Sequence, residues 1–258
     1  PDASCPGPYM SSQPCLAPVD VDRLKTVCSN CSLRELCLPA GLDPRELESV
    51  DRLINRRRAV KRGDYLYRAG TELHALFAIR TGFMKSCVLH EDGREQVAGF
   101  HMTGDLLGLD AISLNRHACD AIALEDSEAC EIPFQVLEKL SREIPSLQQH
   151  FHRIMSREIV RDHGVMLLLG SMRAEERLAA FLLNLSQRFA ARGYSPSEFN
   201  LRMTRDEIGS YLGLKLETIS RALSRMQDEG TLEVNNKHIK IKDIESLRRL
   251  VGQTTCRT

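Results

Sequence analysis

Three cysteines, Cys28, Cys31 and Cys37, fall within ten residues in the spacing C-x2-C-x5-C. A two-residue gap needs only a tight turn to bring two sulfurs to one centre, and a five-residue gap reaches a third corner of it. Three thiolates are one short of the complement of an iron–sulfur cluster or a structural zinc, so a fourth ligand must come from elsewhere in the chain. Cys130 is the distant thiol that could complete the set, or it could be a small core residue. The other readings are plain burial of small apolar side chains, disulfides, and a redox C-x-x-C pair at Cys28 and Cys31. Nine cysteines is an odd number, and the stretch from Pro1 to Cys5 carries neither the basic run nor the apolar run of a secretory signal, which weighs against disulfides. No βαβ pattern follows the C-x-x-C pair as a redox thiol enzyme would require. Spacing alone does not separate zinc from iron–sulfur. Cys5, Cys15, Cys87, Cys119 and Cys256 have no assigned role.

A second constellation lies near the other end. Glu217, Ser220 and Arg221 sit at i, i+3 and i+4 and so share one helical face. Arg bonds bidentately to guanine, Glu accepts from a cytosine amino group, and Ser takes either kind of base or a phosphate. Lys215, Arg225 and Lys237 are placed to meet phosphates. The alternative is a solvated face with an ordinary Glu–Arg pair.

A third group is a seam. Met155, Ile159, Met166 and Leu169 alternate at the spacing of a coiled coil, and Asp162 occupies the seam position between Ile159 and Met166. On a two-fold seam Asp162 would face its own copy, and two carboxylates in a partly dry interface repel. That arrangement describes a dimer held near its dissociation threshold.

These groups need elements to hold them. The chain has 258 residues, zero formal net charge and 42% hydrophobic content, enough for one large or two smaller domains. From Arg173 onward there are 15 Lys and Arg against 11 Asp and Glu, leaving the N-terminal part acidic by the same margin. A basic C-terminal part is in keeping with nucleic acid binding. No run reaches the ~18 apolar residues of a membrane helix. No nucleophile elbow, phosphate loop or dinucleotide fingerprint is present, so no enzyme is expected.

In chain order, the proline-rich first 20 residues read as a mobile arm. Leu42 to Arg58 reads as a helix capped by Asp43, with Pro44 at its first position and Leu47, Val50, Leu53 and Ile54 inward. Short β-rich runs follow at Tyr65–Tyr67, Leu76–Ile79, Phe83–Leu89, Gln96–Phe100, Ala121–Leu124 and Ala129–Ile132, divided by Gly-containing turns. They predict an antiparallel barrel or roll. Helical periodicity returns at Phe134, with a long helix from Ser146 to Gly170. Ala174–Ala191 is amphipathic. Thr204 and Glu207 form a capping box, Gly213 marks a turn, and Leu216–Gln227 is a second helix. Together they make a helix-turn-helix, followed by a hairpin over Leu232–Ile241 that forms a wing.

The motifs Cys28-x2-Cys31-x5-Cys37-Leu38-Pro39, Gln96-Val97-Ala98-Gly99-Phe100-His101, Cys130-Glu131-Ile132-Pro133-Phe134, Ala174-Glu175-Glu176-Arg177-Leu178 and Glu217-Thr218-Ile219-Ser220-Arg221 together resemble the FNR-type (Anr-like) oxygen-sensing regulators of the CRP/FNR superfamily. The likeness spans roughly Cys28 to Gly252. It implies an α+β fold: an N-terminal arm and cluster segment over 1–39, a β-roll over 40–138, a dimerisation helix over 139–170, and a winged helix-turn-helix over 171–258. It implies that Cys28, Cys31, Cys37 and Cys130 ligate an oxygen-labile [4Fe-4S] cluster, that Asp162 with Met155, Ile159 and Met166 forms the dimer switch, and that Glu217, Ser220 and Arg221 read a palindrome with TTGAT and ATCAA half-sites. It implies a cytoplasmic homodimer that falls to monomers when the cluster is lost. It also implies a contact with RNA polymerase near Glu91, Asp92, Gly93 and Arg94. The superfamily's cyclic-nucleotide branch carries an Arg-Ser pair where this chain has His117-Ala118, so no cyclic nucleotide is expected. The competing expectation is a zinc-stabilised regulator blind to oxygen.

Overall fold

The computed structural model describes Cys28, Cys31 and residues 36–53, 56–90 and 93–252. The expected mobile arm, with Cys5 and Cys15, and also Cys256, Glu91 and Asp92, lie outside the described residues. The first helix, α1 (Pro44–Leu53), starts where the cap chemistry dictates. The Asp43 carboxylate accepts from the amides of Arg45 and Glu46, both at 2.8 Å, and Glu46 reaches back to the Asp43 amide at 2.9 Å. Leu47 and Val50 are buried.

The expected helix over Leu42–Arg58 is too long. Arg56–Val60 is instead a strand, β1, paired antiparallel with β8 (Ser127–Pro133) so that Arg57 lies opposite Cys130. An arginine run shows no apolar alternation, yet an edge strand needs only one inward residue, and Val60 supplies it. Arg57 pairs with Glu128 at 3.6 Å.

The roll is built from two four-stranded sheets, all their pairs antiparallel. One runs β1–β8–β3–β6, with β3 at Ala75–Thr81 and β6 at Leu106–Leu107. The other runs β2–β7–β4–β5, with β2 at Tyr65–Tyr67, β4 at Phe83–Leu89, β5 at Glu95–Met102 and β7 at Asp120–Ala123. Between them lie Leu66, Phe77, Ile79, Met84 and Ala121. All six expected strands are present. β6, only two residues long, had no readable pattern.

Two helices follow the roll: α2 (Phe134–Glu143) and α3 (Pro145–Ser171), the latter opened by proline in its first turn. The N-terminal half of α3 buries Leu147, His150 and Ile154 in a core shared with Cys28, Leu38, Val50, Cys130 and Ile132. Its C-terminal half leaves Ile159, Val160, Met166 and Leu167 more than half exposed.

The C-terminal domain holds α4 (Ala174–Ala190), β9 (Glu198–Asn200), α5 (Arg205–Leu212), α6 (Leu216–Asp228), β10 (Leu232–Asn235), β11 (His238–Ile241) and α7 (Ile244–Val251). β9 extends the wing to a three-stranded sheet by pairing with β11.

This domain packs on the outer face of the second sheet. One core runs from Phe83, Val97 and Phe100 of the roll to Phe181, Leu182 and Ile208, with Phe100 against Tyr211 at 5.2 Å between ring centroids. Polar ties reinforce the joint. Asp105 binds Arg188 at 2.5 Å and Arg192 at 2.7 Å, and Lys85 reaches Glu207 at 3.1 Å. Burial alone would raise the Asp105 pKa, but the two guanidiniums and the Met102 amide hold it below the ordinary carboxylate range. A depressed carboxylate contributes stability above its unfolded pKa and loses it as pH falls through the folded value. Asp105→Asn strands two buried guanidiniums. The expected result is a loss of about 3 kcal/mol in urea unfolding at pH 7, shrinking as the pH is taken below about 4.

Candidate metal centre and nucleic-acid interface

Cys28, Cys37 and Cys130 lie at the junction of roll and helix. Cys28 and Cys130 are buried in one core, and Cys37 packs against it. The Cys28 amide bonds to the Asp51 carboxylate, and the Cys31 amide to the Cys28 carbonyl at 3.1 Å, closing the tight turn the C-x2-C spacing calls for. Burial raises the Cys28 thiol far above its usual value, and Cys37, Asp51 and Cys130 raise it further. Cys37 is pushed up to about 12 by burial, partly offset by a hydrogen bond from the Leu38 amide, with Cys130 and Cys31 adding to the rise. Cys130 is raised by burial and by Cys31, while Arg80 and Arg57 pull it down. Cys28, Cys37 and Cys130 thus each feel others of the set. Left to themselves these three stay protonated, because burial first and neighbouring thiolates second oppose the charged form. Only a thiophilic cationic centre reverses that, so the donor set fits a metal centre. Among the described residues no group of three or more His, Cys, Asp or Glu is drawn together tightly enough to hold a metal ion.

The thiol segment also touches α3. The Cys37 carbonyl accepts from the His150 ring nitrogen at 3.2 Å, and Ser146 of α3 donates to Glu46 of α1 at 2.6 Å. His150 has no periodic signal and was not singled out in the sequence. Its burial on the inward face of α3 is what identifies it.

A cavity of about 470 Å³ lies between the roll and α3, lined by Tyr67, His101, Asp110, Met155, Ile159 and Asp162 among others. His101 bonds Ser86 at 2.9 Å, and burial with Arg161 nearby lowers its pKa to about 3, so it stays neutral. The His117-Ala118 segment faces a carboxylate. Ala118 donates its amide to Asp110 at 2.8 Å, and the His117 ring stacks on Tyr67 at 3.8 Å.

In the helix-turn-helix, Thr204 accepts from the Glu207 amide at 3.1 Å and Glu207 from the Thr204 amide at 2.7 Å. Gly213 ends α5 at φ 62°. Gly209 permits the close crossing of α5 and α6, since a Cβ there would stand 2.5 Å from the Leu214 carbonyl oxygen. Ile219, Leu223 and Met226 are buried, which rotates Glu217, Ser220 and Arg221 outward. Of the phosphate candidates, Lys215 is exposed and Lys237 half-buried. Arg225 pairs with Glu175 at 2.5 Å, a tie it must release to reach a phosphate. Arg177 has a structural task that its sequence motif does not reveal. Its guanidinium donates to the carbonyls of Leu169, Met172 and Leu212 at 2.8–3.0 Å, joining the end of α3 to α5.

Comparison with known proteins follows the same lines. Residues 176–250 match the Crp-like helix-turn-helix domain, and residues 57–143 the cyclic nucleotide-binding domain. The chain is 50% identical to the fumarate and nitrate reduction regulatory protein of Escherichia coli, over 88% of this chain and 91% of that one. It is 46% identical to the transcriptional regulatory protein btr of Bordetella pertussis, over 89% and 95%. Among solved structures, FixK2 from Bradyrhizobium japonicum superposes with TM-score 0.70 at 30% identity, over 76% of this chain and 96% of that one.

Gly209→Ala should displace α6, because the obstacle is backbone. The expected outcome is a Tm lower by several degrees for the C-terminal domain, read by calorimetry, and DNA binding reduced more than tenfold.

Proposed function

The chain belongs to the family of fumarate and nitrate reduction regulatory proteins, transcription regulators with a Crp-type helix-turn-helix, and from that premise we propose that it responds to oxygen through a [4Fe-4S] cluster that promotes dimerisation and DNA binding. The observation that carries this reading is the direct seat of the thiol segment on α3, through Cys37 and His150, in a helix whose other half exposes an apolar face. A cluster held by Cys28, Cys31, Cys37 and Cys130 supplies, when bound, thiolate cross-links that oxygen can destroy.

The rest is the work of the chain. Cys130 anchors the segment to β8, which leads through Pro133 into α2. Cys37 and Leu38 press on Leu147 and His150 and hold the N-terminal half of α3 in place. A partner copy then covers Ile159, Val160, Met166 and Leu167, against the repulsion of two Asp162 carboxylates. When the thiols are released, that support is lost and monomers result. A shift of a few kcal/mol is enough.

The dimer sets two α6 helices about one DNA turn apart, ~34 Å, each presenting Glu217, Ser220 and Arg221 to a TTGAT or ATCAA half-site in cytoplasmic DNA. Gly93 and Arg94, at the β4–β5 turn, form part of the polymerase contact. Cyclic nucleotides are not ligands in this reading, because His117-Ala118 supplies neither the cation nor the hydroxyl that the cyclic phosphate needs, and the Asp110 carboxylate lies beside that segment. No described helix is long and apolar enough to cross a membrane.

Operator binding tests this. Asp162→Ala should bind the palindrome in air at least tenfold more tightly than the wild type does in air, and should sediment as a dimer. A variant that sediments as a monomer would show the repulsion idea to be wrong. Cys130→Ser should bind neither with nor without oxygen.

A further inference from the structure

We propose that Arg205 is a specificity-determining residue of the DNA-reading surface. It orients the Ser220 hydroxyl so that Ser220 selects a base presenting an acceptor over one presenting an amino donor. The inference rests on the assignment of Glu217, Ser220 and Arg221 as the base-reading set.

Arg205 is the first residue of α5, directly after the Thr204 cap, so the capping box fixes its backbone. Its side chain crosses to α6, and Nη1 donates to Ser220 Oγ at 3.2 Å. The direction of this bond is forced, because a guanidinium has donors only and does not lose its proton in proteins. A serine hydroxyl has one donor and two acceptor lone pairs. With one pair occupied by Arg205, the O–H and one lone pair remain, and the positive guanidinium beside them disfavours a second amino donor on the same oxygen. Ser220 is only partly buried and shares its face with exposed Glu217 and Arg221, so its free O–H turns outward toward an acceptor. There the O–H suits N7 or O6 of guanine, N7 of adenine or O4 of thymine, and it disfavours the amino groups of cytosine and adenine. A serine free to rotate accepts either kind. Ile219, buried beside it, prevents α6 from turning to undo the arrangement.

The competing role for Arg205 is a plain phosphate contact, and the two roles separate in one experiment. The probes are full-length wild-type protein, Arg205→Ala, Arg205→Lys, Ser220→Ala and the Arg205→Ala/Ser220→Ala double variant, all kept free of oxygen. Their binding is measured on the palindrome and on operators with each half-site base replaced in turn, at two salt concentrations. Thermal melts establish that each variant is folded, and Arg205→Lys keeps the charge if Arg205→Ala is not.

The result expected is that Arg205→Ala loses about fivefold in discrimination, the size of one hydrogen bond, only at the base whose recognition Ser220→Ala also loses. The double variant should lose no more there than Ser220→Ala alone, and Arg205→Lys should recover part of the effect. Uniform weakening on every operator with a shallower salt dependence would identify a phosphate contact and overturn the inference. A wild-type protein that does not distinguish the palindrome from scrambled DNA would overturn the base-reading assignment itself, and the role of Arg205 with it.

Discussion

One helix has to satisfy two partners, and a single chain contains only one of them. The N-terminal half of α3 is packed against the thiol segment and the roll, with Leu147 and Ile154 inward. The C-terminal half holds Ile159, Val160, Met166 and Leu167 out in solvent. Covering half-exposed side chains of this size is worth about 1 kcal/mol each, or about 8 kcal/mol over two copies. Association itself costs about 4–15 kcal/mol, and in the proposed dimer facing Asp162 carboxylates would add to the opposition. The balance lies close to zero, which lets a modest change at the other end of the helix decide its sign.

The location of the thiols follows from this constraint. In the proposed switch, a sensor has to act on α3 without covering the seam. The shared core of Cys28, Cys130, Leu147 and Ile154 acts on the end of the helix that is already buried, and the Cys37–His150 bond grips the same turn. At the far end, Arg177 binds the last carbonyls of α3 and the last of α5. The end of α3 is therefore joined to the helix-turn-helix by hydrogen bonds, the route by which the proposed switch would convey a change in the setting of α3. The clamp of Asp105 on Arg188 and Arg192 holds the C-terminal domain against the roll while this happens.

Much of this was legible in the sequence, and the exceptions have physical reasons. Cap chemistry is local, so Asp43, Pro44, Thr204, Glu207 and Gly213 marked their helix ends correctly. β-rich composition and turn residues are also local, and six strands of the roll could be read from them. Arg56–Arg58 reads as the end of the helix because three successive arginines show no period, and the strand character of Arg56–Val60 comes from pairing with β8, 67 to 75 residues away in the register. β6 is two residues long, too short for any period. The spacing of Cys28, Cys31 and Cys37 marks a candidate site. The contacts of His150, Arg177 and Arg205 leave no such mark, because each is a single polar side chain whose partner lies on another element.

The most direct test of the account is to purify the protein without oxygen, record its visible absorption and its sedimentation, and then admit air. A brown dimer that loses its colour and becomes a monomer on the same time course is the result predicted. A colourless protein whose sedimentation air leaves unchanged would contradict the cluster switch, leaving a regulator with the same DNA-binding surface and no oxygen sensor.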